Sequence, residues 1–142
     1  MKIVLIIISL FYSNPSLNWE NDLDIAFQKS KEQDKSILLN FSGSDWCIPC
    51  QKLKKGLLSN DKFSNYASEN LILVNLDFPM KNKKEEKEYT IKKDNWSEKY
   101  NPNGQFPLTI LIDKNGKVVK KWTGNITDSP ENFIEQIRNI NK

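Results

Sequence analysis

The two cysteines of this chain, Cys47 and Cys50, stand two residues apart in the run Trp46-Cys47-Ile48-Pro49-Cys50. At that spacing two thiols can close a small disulfide ring and reopen it, the chemistry of thiol–disulfide exchange. An apolar run of strand length, Ile37 to Phe41, precedes the motif, and Gln51 to Leu58 reads as a helix. A strand that delivers the pair to a helix N-terminus sets the first thiol against unsatisfied backbone N–H groups and a positive dipole end. That setting favours the thiolate, which is the reactive species.

Composition narrows the alternatives. The 142 residues make one domain, long enough to bury a core without disulfide staples. A net charge of +3, with both signs interspersed, gives no footprint for nucleic acid. The chain has no histidine, which excludes His-based catalysis and His metal sites. Two cysteines supply half of a structural zinc site, so zinc would require a bridged dimer; the reading taken is no metal and no cofactor.

At the N-terminus, Lys2 precedes an apolar run from Ile3 to Tyr12, and Ser13-Asn14-Pro15-Ser16 then breaks the pattern. A basic start, an apolar segment of about ten residues and a polar flank read as a secretory signal peptide over residues 1–16. The alternative is a buried first element of the fold. The run is short of the roughly 20 residues that cross a bilayer, and no cysteine follows it to carry a lipid. The expectation is an exported, periplasmic protein without a stable membrane anchor, its domain spanning residues 17–142, in a compartment where a CxxC pair must be kept reduced by a partner or act as an oxidant.

The elements that must position the pair follow from periodicity. Trp19 to Gln33 carries a helical period with Asn18 or Asn21 as caps, and Ser36 to Phe41 is the first strand. Ser42 to Asp45 is a turn leading to the CxxC helix, in which Gly56 is a weak point, and Lys62 to Ser68 forms a second helical stretch. Leu71 to Asp77 is too continuously apolar to be half-exposed and reads as a central strand parallel to the first. Lys81 to Lys93 is a mixed-charge run read as a solvated face, and Trp96 and Tyr100 share one side of a short helix. Leu108 to Ile112, the turn Asp113-Lys114-Asn115-Gly116 and Lys117 to Trp122 form an antiparallel hairpin. A last helix starts at Ser129-Pro130, with Phe133, Ile134, Ile137 and Ile140 as its apolar stripe.

With these pieces in place the chain resembles the thioredoxin superfamily, and within it the exported bacterial thioredoxin-like proteins, from Trp19 to Ile140. The resemblance is carried by Leu39 to Cys50, by Val74-Asn75-Leu76-Asp77, by Phe106-Pro107-Leu108-Thr109 and by Trp122-Thr123-Gly124. It implies an α/β thioredoxin fold: a central mixed four-stranded sheet, two parallel strands plus a C-terminal antiparallel hairpin, flanked by helices. It implies Cys47 as the exposed nucleophile, Cys50 as the shielded resolving thiol, and Pro107 as a cis-proline beside the dithiol. Trp46, Ile48, Pro49 and Phe106 would form an apolar rim for extended protein or peptide substrates, with backbone pairing at Phe106. Core packing is the other reading of Trp46. Pro49, which lacks an N–H and fixes its own φ, stiffens the helix start. With no basic residue between the cysteines, a moderately acidic thiol and a relatively reducing couple are expected.

Three positions depart from the pattern that the resemblance implies. Asn40 stands where a buried acid is usual, Asn75 where a lysine usually faces that acid, and Leu108 where a threonine often follows the proline. Asparagine cannot accept a proton, so deprotonation of Cys50 needs another route, with Asp45 or a water as candidates. The reading is a monomeric oxidoreductase that reduces or isomerises protein disulfides and is served by a redox partner. Its rivals are a redox-inert peptide-binding module with a static Cys47–Cys50 disulfide, and a dedicated reductase for one client such as an apocytochrome.

Overall fold

The structure, a computed structural model, describes residues 17–81 and 84–142. The proposed signal segment therefore lies outside the described residues. Five strands form one mixed sheet in the order β1-β3-β2-β4-β5. These are β1 (Trp19–Glu20), β2 (Ser36–Ser42), β3 (Leu71–Asp77), β4 (Leu108–Ile112) and β5 (Val118–Thr123). Helices α1 (Leu23–Gln33), α2 (Ile48–Leu53), α3 (Asp61–Asn70), α4 (Lys87–Tyr100) and α5 (Pro130–Ile140) cover its two faces. Among the described residues no helix is long and apolar enough to cross a membrane.

β2 and β3 run parallel in continuous register from Ser36↔Leu71 to Ser42↔Asp77, and β4 pairs antiparallel with β2. Side chains alternate across a strand, which divides β2 between two cores. Ile37, Leu39 and Phe41 pack with α1 and α4, beside Leu23, Trp96 and Tyr100. Leu38 packs on the other face with Leu53 of α2, Phe63 of α3 and Phe133 of α5. Asn40 follows Leu38 on that second face, so the α2 side of the sheet ends in a polar position. Fully buried Phe and Leu side chains of this kind contribute about 1.5–3 kcal/mol each, before the entropy of ordering them.

The fold is the expected one, with differences at particular elements. Trp19 and Glu20 form a fifth strand rather than the first turn of a helix, pairing in parallel with Leu73 and Val74. The edge of β3 has N–H and C=O groups to satisfy there, and the Trp19 ring packs on the second core. Helix α1 therefore starts later, and its cap is Asp22 rather than Asn18 or Asn21; the Asp22 carboxylate accepts from the N–H groups of Asp24 and Ile25. The CxxC helix begins at Ile48, earlier than expected, and its second half, Lys54–Leu58, is a π-helical turn closed by the Ser59 N–H on the Lys54 carbonyl at 2.9 Å. The hairpin forms as expected, with Gly116 at φ +84°, a backbone conformation that only glycine adopts without cost.

The charged run holds one exception to its solvated reading. Lys93 lies in the buried stripe Lys93, Trp96, Tyr100 of α4. Its ammonium donates to the Asp77 carbonyl at 2.8 Å and to the Glu85 carboxylate at 2.7 and 2.8 Å. It also sits 4.8 Å from the centre of the Phe78 ring. These partners offset the desolvation of the charge.

Gly56 has open space where a Cβ would stand. Gly56→Ala should therefore stabilise the protein by about 0.5–1 kcal/mol, by lowering the entropy of the unfolded chain. Urea denaturation checks this, and a destabilised variant would mean that the π-helical turn itself needs glycine.

Candidate active site

The site is built at the C-terminal ends of β2 and β3. The chain leaves β2 at Ser42 and must turn to enter α2, and the end of β3 holds that turn. The Asp77 carboxylate accepts from the Ser44 N–H at 2.8 Å and from its hydroxyl at 2.6 Å. The Phe78 N–H donates to the Ser42 carbonyl at 2.8 Å, and the Trp46 indole N–H donates to the Phe78 carbonyl at 2.7 Å. Within the turn, the Cys47 N–H reaches back to the Gly43 carbonyl at 2.9 Å.

Cys47 is the N-cap of α2, and its sulfur accepts from the Cys50 N–H at 3.2 Å. Pro49 lies in the first turn, where a missing N–H costs nothing. The two cysteines are joined as a disulfide. In this oxidised state both are equally covered, each 4% exposed, so the expected contrast between an exposed Cys47 and a shielded Cys50 is absent. They differ in surroundings instead: Cys47 caps the helix, while Cys50 lines a cavity beneath it.

Phe106–Pro107 is the cis peptide bond of the described residues, and Pro107 is buried. The expected rim residues are brought together around the turn. Trp46 is 39% exposed and Ile48 is 64% exposed, so core packing does not account for Trp46. The Trp46 and Phe106 rings meet edge-on at 5.4 Å, and Phe106 meets Phe78 edge-on at 5.6 Å. Phe78 stacks in turn on Phe41 of the core at 6.2 Å. Pro49 is exposed beside Ile48.

Sequence reasoning missed Phe78, Met80 and Lys93. Met80, 76% exposed, extends the apolar surface next to Phe78. The signal was the apolar run Phe78-Pro79-Met80 directly after a parallel strand, where the chain must pass beside the loop that follows the neighbouring strand. For Lys93 it was the spacing from Tyr89 and to Trp96, which puts a lysine inside an apolar stripe.

Behind Cys50 lies a cavity of about 430 Å³ whose walls include Asn40, Asn75, Cys50, Lys54 and Lys55. Asn40 stands in register with Asn75 on β3 and Thr109 on β4. Its amide donates to the Asn75 side-chain oxygen at 2.9 Å, and the Thr109 hydroxyl donates to its oxygen at 3.2 Å. Three neutral side chains thus satisfy one another in one row. Asp45 does not fill the place of an acid. Its carboxylate is fully exposed and accepts from the backbone N–H groups of Met80 and Lys81, at 2.9 Å each. Those bonds, Lys81's first and Met80's next, hold its pKa below the usual carboxylate value, which suits a loop anchor and not a proton acceptor. A larger cavity of about 520 Å³ lies at the far end of the sheet, between Asp34, Asp113 and Arg138, away from the cysteines.

Comparison with known proteins places this geometry. A family model described as a thioredoxin-like domain matches residues 23–141. The chain is 37% identical over 102 residues to the disulfide bond reductase DsbH of Chlamydia pneumoniae, covering 72% of this chain and 60% of that protein. It is 34% identical over 114 residues to the thiol-disulfide oxidoreductase ResA of Geobacillus thermodenitrificans, covering 73% of this chain and 64% of that protein. It thus spans less than two thirds of the length of either relative. Among solved structures, a DsbH oxidoreductase superposes with a TM-score of 0.77 at 30% identity, covering 87% of this chain and 83% of that one.

A Cβ on Gly43 would lie 2.3–2.6 Å from the Trp46 indole, a contact that a rigid ring cannot absorb. Gly43→Ala should push the indole off the turn, break its bond to Phe78 and cost about 1–3 kcal/mol. Urea denaturation reads the loss, and acrylamide quenching of tryptophan emission should rise. Unchanged stability and quenching would show that the turn takes the extra carbon without moving the ring.

Proposed function

The chain belongs to the thioredoxin-like domain family, and on that premise we propose that it is a thiol–disulfide oxidoreductase acting on protein disulfides outside the cytoplasm. The observation that carries this reading is Cys47, bonded to Cys50, at the N-cap of α2 and flanked by the exposed Trp46 and Ile48. In the reduced protein the Cys47 thiolate is favoured by the helix N-terminus and by the Cys50 N–H. It attacks a substrate disulfide, one substrate sulfur leaves as a thiol, and a mixed disulfide forms. Cys50 then attacks Cys47, the mixed disulfide breaks, and the second substrate sulfur leaves. Two electrons pass from the dithiol to the substrate, and a redox partner restores them.

Trp46, Ile48, Pro49 and Phe106 bind an extended substrate segment in this proposal, joined by Phe78 and Met80. Pro107 lies beside the dithiol, and Phe106 offers its backbone to the substrate strand. The name of one relative, a disulfide bond reductase, supports the reductive direction, and that of the other, a thiol-disulfide oxidoreductase, supports the chemistry. The N-terminal apolar segment supports export to the periplasm, and a monomer suffices for the chemistry.

Insulin reduction by dithiothreitol tests the assignment: the wild type should accelerate it and Cys47→Ser should not, and equal rates would sink the catalytic reading. Cys50→Ala should accumulate mixed disulfides through Cys47, whereas an absence of adducts would reverse or remove the assigned order. The equal burial of the two cysteines favours one rival, a peptide-binding module with a static disulfide. A reduction potential below about −300 mV would select it.

A further inference from the structure

The resolving step needs Cys50 as a thiolate, and among the described residues no carboxylate lines the cavity beside it. Burial of a thiol penalises its charged form, so a nearby positive charge is the means to favour it. Asn40 of β2 and Asn75 of β3, both in the cavity lining, are neutral, and Asn40 is engaged with Asn75 and with Thr109. Asp45 is turned to the loop at Met80 and Lys81. The Asp77 carboxylate is taken by Ser44 and does not line the cavity. The remaining polar groups of the lining, on Ser42, Ser44, Gln51 and Ser59, are uncharged, and Trp19 closes the β1 side. The charged residues of this lining are therefore Lys54 and Lys55, both exposed to solvent.

Of these two, Lys54 has the defined relation to Cys50. The Lys54 N–H donates to the Cys50 carbonyl, so the two residues stand one helical turn apart on one face. Helical side chains lean toward the N-terminus, which carries the Lys54 stem back over Cys50 and not away from it. Both residues line the same cavity.

We propose that Lys54 is the positioning residue that draws Cys50 into its thiolate form, replacing an internal acid–base partner with a fixed positive charge. The inference rests on the oxidoreductase reading for its place in the cycle, but the charge effect on Cys50 is measurable without turnover. In the mixed disulfide, Cys50 gives its proton to solvent entering the cavity, and the Lys54 ammonium stabilises the sulfur anion left behind. That anion attacks the Cys47 sulfur, the Cys47–Cys50 bond forms, the Cys47–substrate bond breaks, and the departing substrate thiolate takes a proton from solvent. Lys54 neither gains nor loses a proton.

The test uses Cys47→Ser, which leaves Cys50 as the lone thiol, and follows its alkylation by iodoacetamide against pH. Lys54→Gln in this background should raise the midpoint by about half a unit, roughly a threefold drop in thiolate at neutral pH. Lys54→Glu should raise it further, Lys54→Arg should leave it in place, and Lys55→Gln should shift it less than Lys54→Gln. About 1 M salt should shrink the differences, because exposed charges are screened. A structural role for Lys54 would not order the variants by charge. A midpoint that is the same in Lys54→Gln and Lys54→Glu, or shifts that ignore salt, would overturn the proposal. With Cys47 restored, release of thionitrobenzoate from a Cys47 adduct should slow in the same order. No dependence of that release on Lys54 would confine its effect to the free thiol and likewise overturn the proposed role. Loss of insulin reduction with the charge order intact would instead count against the oxidoreductase reading.

Discussion

The grip of β3 on the turn after β2 is the contact on which the rest of the site depends. Parallel strands in register bring Ser42 level with Asp77, so the chain leaving β2 meets the chain leaving β3 at one height. Asp77 then holds Ser44, and Phe78 holds both Ser42 and Trp46. A single residue of slip between the strands would turn each side chain to the opposite face and undo all of these bonds. The continuous apolar pairing of Ile37 to Leu39 with Ile72 to Val74 is thus a condition of the site as well as of the core. Lys93 secures the same corner from below, through the Asp77 carbonyl and the Phe78 ring.

The cavity side of the sheet follows a different rule. Placing an asparagine at the end of a buried strand requires that both its amide and its oxygen find partners, or the cost is that of a lost buried hydrogen bond. Asn75 and Thr109, directly across on either neighbour, meet that need without any charge. The row is therefore indifferent to pH, and the electrostatics around Cys50 are left to the helix that carries it.

Much of this was legible in the residues. Strand runs such as Leu71 to Asp77, the hairpin at Asp113 to Gly116, the Ser129-Pro130 helix start and the CxxC junction each carry a local signal strong enough to read alone. Asn40 was legible as a departure because the family resemblance implies a buried acid at its position on β2. What escaped was set by neighbours distant in sequence. Trp19 and Glu20 became a strand because the edge of β3 was open to them, and Lys93 was buried because Glu85 and the Asp77 carbonyl could receive it. Phe78 joined the rim because parallel pairing laid it against the turn that carries Trp46, and Met80 follows it at the Asp45 carboxylate. Asp45 faces Met80 and Lys81 because the turn directs it there, which its type and spacing leave open.

The π-helical turn at Lys54–Leu58 has a bearing on how the segment could vary. A wider turn accommodates one residue more than an α-helical path through the same rise, so it is equivalent to a single-residue insertion absorbed without a loop. Leu53, Leu57 and Leu58 all reach the core across it, while Lys54 and Lys55 both remain at the cavity wall. Removal of one residue from this stretch would return the helix to regular α spacing and leave its two halves in about the same relation to each other. The leucines beyond the turn and the cysteines before it could then keep their seats, so this segment can lose a residue where the spacing between the cysteines cannot.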